Sequence, residues 1–175
     1  MKRFTPGRTT TFRVKLLAAS ESLAVAVLDS DGATVAAGSV SVVGSLTSLA
    51  TDAVSGAQQI VCAGAVEAGW WLVGDEVVEV VSTDTVRGYL RAPLVQRHAS
   101  GTAVAPLTAD VAIAIPSGVS AGEYYLSKSS TLRSEQEAIL VYPREFPAYD
   151  PFADIPRLRQ LAPGRADLVT IGEEA

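Results

Sequence analysis

Up to Pro143 the chain repeats one pattern: a short run in which apolar residues alternate with polar or small ones, then a break at Gly, Asp, Ser or Pro. A period of two marks a strand with one wet and one dry face, and the longer period of an amphipathic helix is missing from this whole stretch. Residues 9–17, TTTFRVKLL, set Thr9, Thr11, Arg13 and Lys15 against Thr10, Phe12, Val14 and Leu16. Leu23, Val25 and Val27 then alternate with alanines as far as Asp31-Gly32, a turn able to take positive φ, and a second β-rich run fills residues 34–43. Two apolar runs about an Asp-Gly turn predict a hairpin. Residues 44–56, rich in Ser, Thr and Gly, read as a crossing connection. Short strands follow at AQQIVCAG and at EAGWWLV. After a Gly74-Asp75 turn comes EVVEVV, then a turn at Thr83-Asp84, a strand to Leu94, and a loop RHASG before a further strand. TADVAIAI, EYYLSKSS and EQEAILVY close the series, with Val111, Ile113 and Ile115 on one face. Many short strands with turn signals between them predict an all-β sandwich or barrel.

Composition narrows the function classes. A chain of 175 residues, 48% hydrophobic and 19% charged, can build a core without staples and is not disordered. A net charge of −5 argues against a general nucleic-acid binder despite Lys2, Arg3 and Arg8. No apolar run reaches the ~20 residues of a membrane helix, and Arg13, Lys15 and Glu21 interrupt any signal-peptide reading, so neither nucleic acid nor membrane is expected as a partner. The single Cys62 has no internal disulfide partner and fits a reducing compartment.

Reactive chemistry finds few residues. Gly118-Val119-Ser120-Ala121-Gly122 matches G-x-S-x-G, but a nucleophile elbow needs a helix after the serine and a histidine later in the chain. Here Glu-Tyr-Tyr-Leu reads as a strand, and the only histidine, His98, comes earlier. Ser120 is therefore read as a turn residue and His98 as a loop residue. Asp29-Ser30-Asp31-Gly32 starts like a calcium loop, yet Val40 stands where the bidentate glutamate belongs, so the hairpin turn is preferred. Glu76 and Glu79, three apart on a strand, face opposite sides and form no catalytic pair. No catalytic, metal or cofactor site is expected, and the chain reads as a non-enzyme.

Two groups of aromatics point to interfaces instead. Trp70 and Trp71, adjacent on a strand, face opposite ways: one belongs in a core, and the other is either half covered or an interface anchor. From Pro143 onward the chain carries five of its nine prolines, which oppose sheet pairing. Residues 144–175 read as a projecting arm with one short helix, capped by Asp154, carrying Pro156 in its first turn and followed by Gly164. Phe146, Tyr149, Phe152, Leu158 and Leu161 are its candidate contact residues, since a projecting segment cannot bury them in itself.

Two sets of motifs resemble known families. V-x-V-x-D-x-D-G-x-x-V from Val25 and I-x-I-P-S-G-x-x-A-G-E-Y-Y-L from Ile113 resemble an immunoglobulin-like β-sandwich of the bacterial and phage type. Between them, G-D-E-V-V-E-V-V-S from Gly74, T-V-R-G-Y-L-R-A-P-L from Thr85 and H-A-S-G-T-A-V from His98 are similar to a small β-module of tailed-bacteriophage virion proteins. The resemblance implies a discontinuous sandwich, residues 1–44 and 108–143, interrupted by a barrel-like module at 45–107 and followed by the arm at 144–175. It also implies a structural protein of a tailed-phage virion, assembled in the host cytoplasm. Its place would be the neck, the head–tail connection or the tail, where it would form a homo-oligomeric ring bound to neighbouring virion proteins. A capsid decoration protein and a host-surface or carbohydrate-binding module, using Trp70 or Trp71 with Tyr124 or Tyr125, are the alternatives.

Overall fold

A computed structural model describes residues 2–142. The expected arm with its short helix lies outside the described residues. Met1–Tyr142 forms one compact unit. Every regular element described is a strand: β1 (Arg3–Phe4), β2 (Thr9–Lys15), β3 (Ala24–Leu28), β4 (Thr34–Val42), β5 (Thr47–Ser48), β6 (Gln59–Val61), β7 (Gly69–Val73), β8 (Glu76–Asp84), β9 (Arg87–Leu90), β10 (Ala103–Pro106), β11 (Thr108–Ala114), β12 (Gly122–Ser129) and β13 (Ser134–Val141).

The strands make two curled sheets. One has seven strands in the order β1-β13-β12-β3-β4-β11-β2, the other six in the order β5-β10-β7-β8-β9-β6. The hairpin at Asp31-Gly32 forms as its pattern dictates: the Asp29 carboxylate accepts the Asp31 and Ala33 N–H groups, and β3 pairs antiparallel with β4. β4 then changes partner. Its first half pairs with β3 and its second, Gly38 to Val42, with β11, so the sheet bends along this one strand. Val111, Ile113 and Ile115 are all buried with Val25, Val27, Leu126 and Ile139 on the inside of the curl.

The six-stranded sheet curls until its edges meet. Leu49 bridges Cys62, and the Ala50 and Ala63 N–H groups donate to the carbonyls of Val61 and Ser48, so β5 and β6 are joined. Residues 44–56 are therefore more than a connection: they supply β5 and a second bridge, Ala53 to His98. The turn after β8 falls at Thr85-Val86 rather than Thr83-Asp84, because Thr83 and Asp84 still pair with Gly88 and Arg87. Turn-forming composition yields to ladder pairing there.

β7 serves both sheets through its two faces. Trp71 and Val73 enter the core of the six-stranded sheet, while Trp70 and Leu72 pack against the core cluster of the seven-stranded one. Gly44, at φ +91°, lies at the crossing between the sheets, where a Cβ would stand 2.6 Å from the Trp71 ring. A side chain cannot be accommodated at that contact without moving the indole.

Candidate functional site

The alternation on β7 decides the tryptophan question. Trp71 is 1% exposed, and its Nε1–H donates to the Glu67 carbonyl at 2.8 Å. It is the core member of the pair and offers no face to a partner. Trp70 is the half-covered one. Its N–H donates to Thr108 Oγ1 at 2.6 Å, and Lys15 Nζ sits 4.1 Å above its ring. A cleft of about 310 Å³ opens beside it, lined by Arg13, Lys15, Glu79, Arg91 and the buried Thr108. A second cleft, about 210 Å³, shares Trp70, Glu79 and Arg91 with it and is also lined by Val77, Pro93 and Val95.

The charges of this groove are mostly spoken for. Arg13 donates to Asp110 at 3.0 Å and to the Ala68 carbonyl at 3.1 Å, and Arg91 donates to Glu79 at 2.6 Å. Lys15 is the cation there without a carboxylate; its contact is the indole face, an attraction worth about 0.5–1 kcal/mol when exposed. Neither Tyr124 nor Tyr125 lines either cleft. What sequence reading missed is the groove's polar lining, because Arg13, Glu79, Arg91 and Thr108 come from four separate strands and segments. The only local sign was that Arg13 and Lys15 share the wet face of β2.

His98 is not a loop histidine in the ordinary sense. It is 6% exposed, and its Nε2 lies 3.0 Å from Glu76 Oε2. The same carboxylate accepts the Val95 N–H at 2.7 Å and the Gln96 N–H at 3.1 Å. Burial pushes the Glu76 carboxyl up, but these backbone and imidazole bonds outweigh it and hold it below the usual range. An ionised carboxylate only accepts, so Nε2 carries the proton. Beside it, the Asp52 carboxylate accepts the Ser100 N–H and the Arg97 guanidinium, and the first of these bonds does most to lower its pKa. The two carboxylates pin residues 95–100, which hold no regular strand. The arrangement fastens backbone, since every donor that Glu76 and Asp52 accept belongs to this segment.

Ser120 is exposed and lies two residues before the start of β12, so a strand rather than a helix follows it; its carbonyl accepts the Tyr124 hydroxyl at 3.0 Å. His98 is committed to Glu76, the first residue of β8 in the other sheet. Among the described residues no group of three or more His, Cys, Asp or Glu side chains is placed to hold a metal. Cys62 is buried, and burial pushes its thiol pKa up, away from the reactive thiolate. Phe146, Tyr149, Phe152, Leu158 and Leu161 lie outside the described residues. No protein-family model matches this sequence, and no curated protein matches it significantly.

Proposed function

We propose that this chain is a non-enzymatic structural protein of a tailed-phage virion. In this reading it forms a homo-oligomeric ring in the neck, head–tail connection or tail, and binds neighbouring virion proteins through sheet edges and residues 144–175. One observation carries the reading: the residues behind the resemblance hold backbone. Asp29 closes the β3–β4 turn, Glu76 and His98 fasten the 95–100 segment, and Gly74 lies against the His98 ring. A part whose distinctive residues all shape the chain is suited to assembly. The immunoglobulin-like arrangement draws support from β4, which changes partner midway as corner strands of a sandwich do, and from the parallel pair of β1 with β13 at the edge.

Native mass spectrometry and negative-stain imaging of the full chain test this. A ring of defined mass is expected, and truncation after Pro143 should loosen it. A protein that stays monomeric at every concentration, alone or with purified virion proteins, would sink the proposal. A carbohydrate-binding reading draws on Trp70 beside its polar groove; glycan-array binding lost on Trp70→Ala would favour it.

A further inference from the structure

The seven-stranded sheet stops short of closing: only side chains cross its seam, and the strand at that margin is the longest edge with no strand paired to its outer side among the described residues. At the opposite margin β1 is a two-residue stub on β13. β5 and β6 are joined to each other. β2 offers seven residues paired on one side alone, to β11.

Its hydrogen-bonding parity is readable. The Leu16 N–H donates to Leu107, and the Ile115 N–H donates to the Arg8 carbonyl. Antiparallel bonds alternate, so Thr10, Phe12 and Val14 face β11, while the main-chain groups of Thr9, Thr11, Arg13 and Lys15 face outward. Of these only the Lys15 carbonyl has a partner, the Arg133 guanidinium at 2.8 Å. The outward side chains are all exposed, and the charged ones on and just before this strand, Arg8, Arg13 and Lys15, are all cationic. Asp110 answers Arg13 alone. The other open run, the outer side of β13 below β1, carries Glu135 and Glu137 instead.

From this ladder and its charge we infer that β2 accepts an extended acidic segment of a neighbouring polypeptide as an added strand, bonded to the main chain of Thr9, Thr11 and Arg13. The inference deepens the proposed binding through sheet edges by naming the edge and its partner's chemistry. Main-chain bonds supply the attachment, and Arg8 and Lys15, which no carboxylate answers, select acidic side chains over basic ones. Beside β13 the cations Lys2, Lys128 and Arg133 are already engaged by Glu135 and Glu137, so that edge offers an acidic segment no unanswered cation.

The test uses the full chain and needs no ring, so it can fail while assembly stands, and the reverse. Amide exchange is followed by NMR with a short blocked peptide of alternating valine and glutamate, and with its valine–lysine counterpart. In the free protein the Thr9, Thr11 and Arg13 amides should exchange fast and those of Thr10, Phe12 and Val14 slowly. Saturating glutamate peptide should slow the first set by about tenfold when its concentration is about ten times its Kd. Added salt should weaken that protection. Thr11→Pro removes an N–H that no strand uses, so it should abolish protection while the melting temperature holds. Arg13→Glu with Lys15→Glu should reverse the preference to the lysine peptide. Slow exchange at Thr11 and Arg13 in the free protein would overturn the inference. So would equal protection by both peptides, protection confined to other strands, or none at all.

Discussion

The two sheets curl alike and finish differently. The six-stranded one closes with backbone bonds at Leu49 and Cys62. The seven-stranded one is held across its seam by side chains. Lys2 spans from the Phe12 ring, at 4.1 Å, to Glu137, at 3.5 Å, and Phe4 meets Phe12 edge to face. At the far end Arg133 donates to the Lys15 carbonyl and to both Glu21 oxygens. Backbone closure leaves no edge, whereas side-chain closure leaves β2 with donors and acceptors to spare. The difference separates a sheet whose edge strands are joined to each other from one whose margin strand keeps main-chain groups without a strand partner.

The largest expected effect is at Arg133. The Glu21 side chain is fully buried and Arg133 is 10% exposed. Burial pushes Glu21 up, but the Leu17 N–H, the Ser130 hydroxyl and Arg133 outweigh it and hold the carboxyl below its usual range. Arg133→Ala strands that carboxylate, and removing one partner of a buried pair costs about 3–5 kcal/mol. Urea denaturation followed by tryptophan fluorescence measures it. A loss below about 1 kcal/mol would mean the seam is held elsewhere, as an ordinary surface ion pair contributes no more than that.

Next comes Gly44→Ala, at the joint between the sheets. A Cβ would stand 2.6 Å from Trp71 at a φ of +91°. Overpacking costs about 1–3 kcal/mol and a left-handed residue about 1–2 more, so a loss of roughly 2–5 is expected, with a changed near-ultraviolet signal from Trp71. An unchanged signal would show that the two sheets are less tightly joined than the packing of β7 indicates.

Strand alternation made most of this fold legible. Val111, Ile113 and Ile115, and the opposed faces of Trp70 and Trp71, follow from a period of two. Closure did not follow, because it depends on partners far apart in the chain: Arg133 is 118 residues from Lys15, and Glu76 is 22 from His98. No carboxylate lies near His98 in the sequence, so its partner Glu76 could not be read locally. The Thr83-Asp84 turn failed for a similar reason, since cross-strand bonding outvoted composition. Of the candidate site, the tryptophans could be sorted by parity, while Glu79, Arg91 and Thr108 reach the groove only through register.

Glu76 tests the closed sheet as Arg133 tests the open one. Glu76→Gln keeps the shape but turns an amide N–H₂ toward donors, so a loss of about 1–3 kcal/mol is expected, with faster exchange at the Val95 and Gln96 amides. Acid should act on both sheets. A carboxyl held below its ordinary value binds its proton more weakly when folded. The stability it contributes is therefore full above the ordinary value of 4.5 and drains away as pH falls through the lower folded value. Stability curves of the wild type and Glu76→Gln should converge in that window. Curves that stay parallel would assign the acid sensitivity to Glu21 and the open sheet alone.

The smallest effect is a gain. Thr85 opens the β8–β9 turn at φ +50°, a position that β-branched residues rarely hold, and its carbonyl accepts the Val66 N–H at 2.9 Å. The side chain is exposed, so its replacement disturbs no packing. Asparagine tolerates this conformation, and Thr85→Asn should raise stability by about 0.5–1 kcal/mol, part of the roughly 1–2 that the left-handed backbone costs. Thr85→Val keeps the branching and should give no gain. If asparagine and valine melt alike, the turn carries no strain, and closing the smaller sheet is easier than its backbone angles imply. If asparagine alone gains, the closed sheet carries local strain at its hairpin tip, held there by the Val66 bond and the cross-strand pair of Asp84 with Arg87.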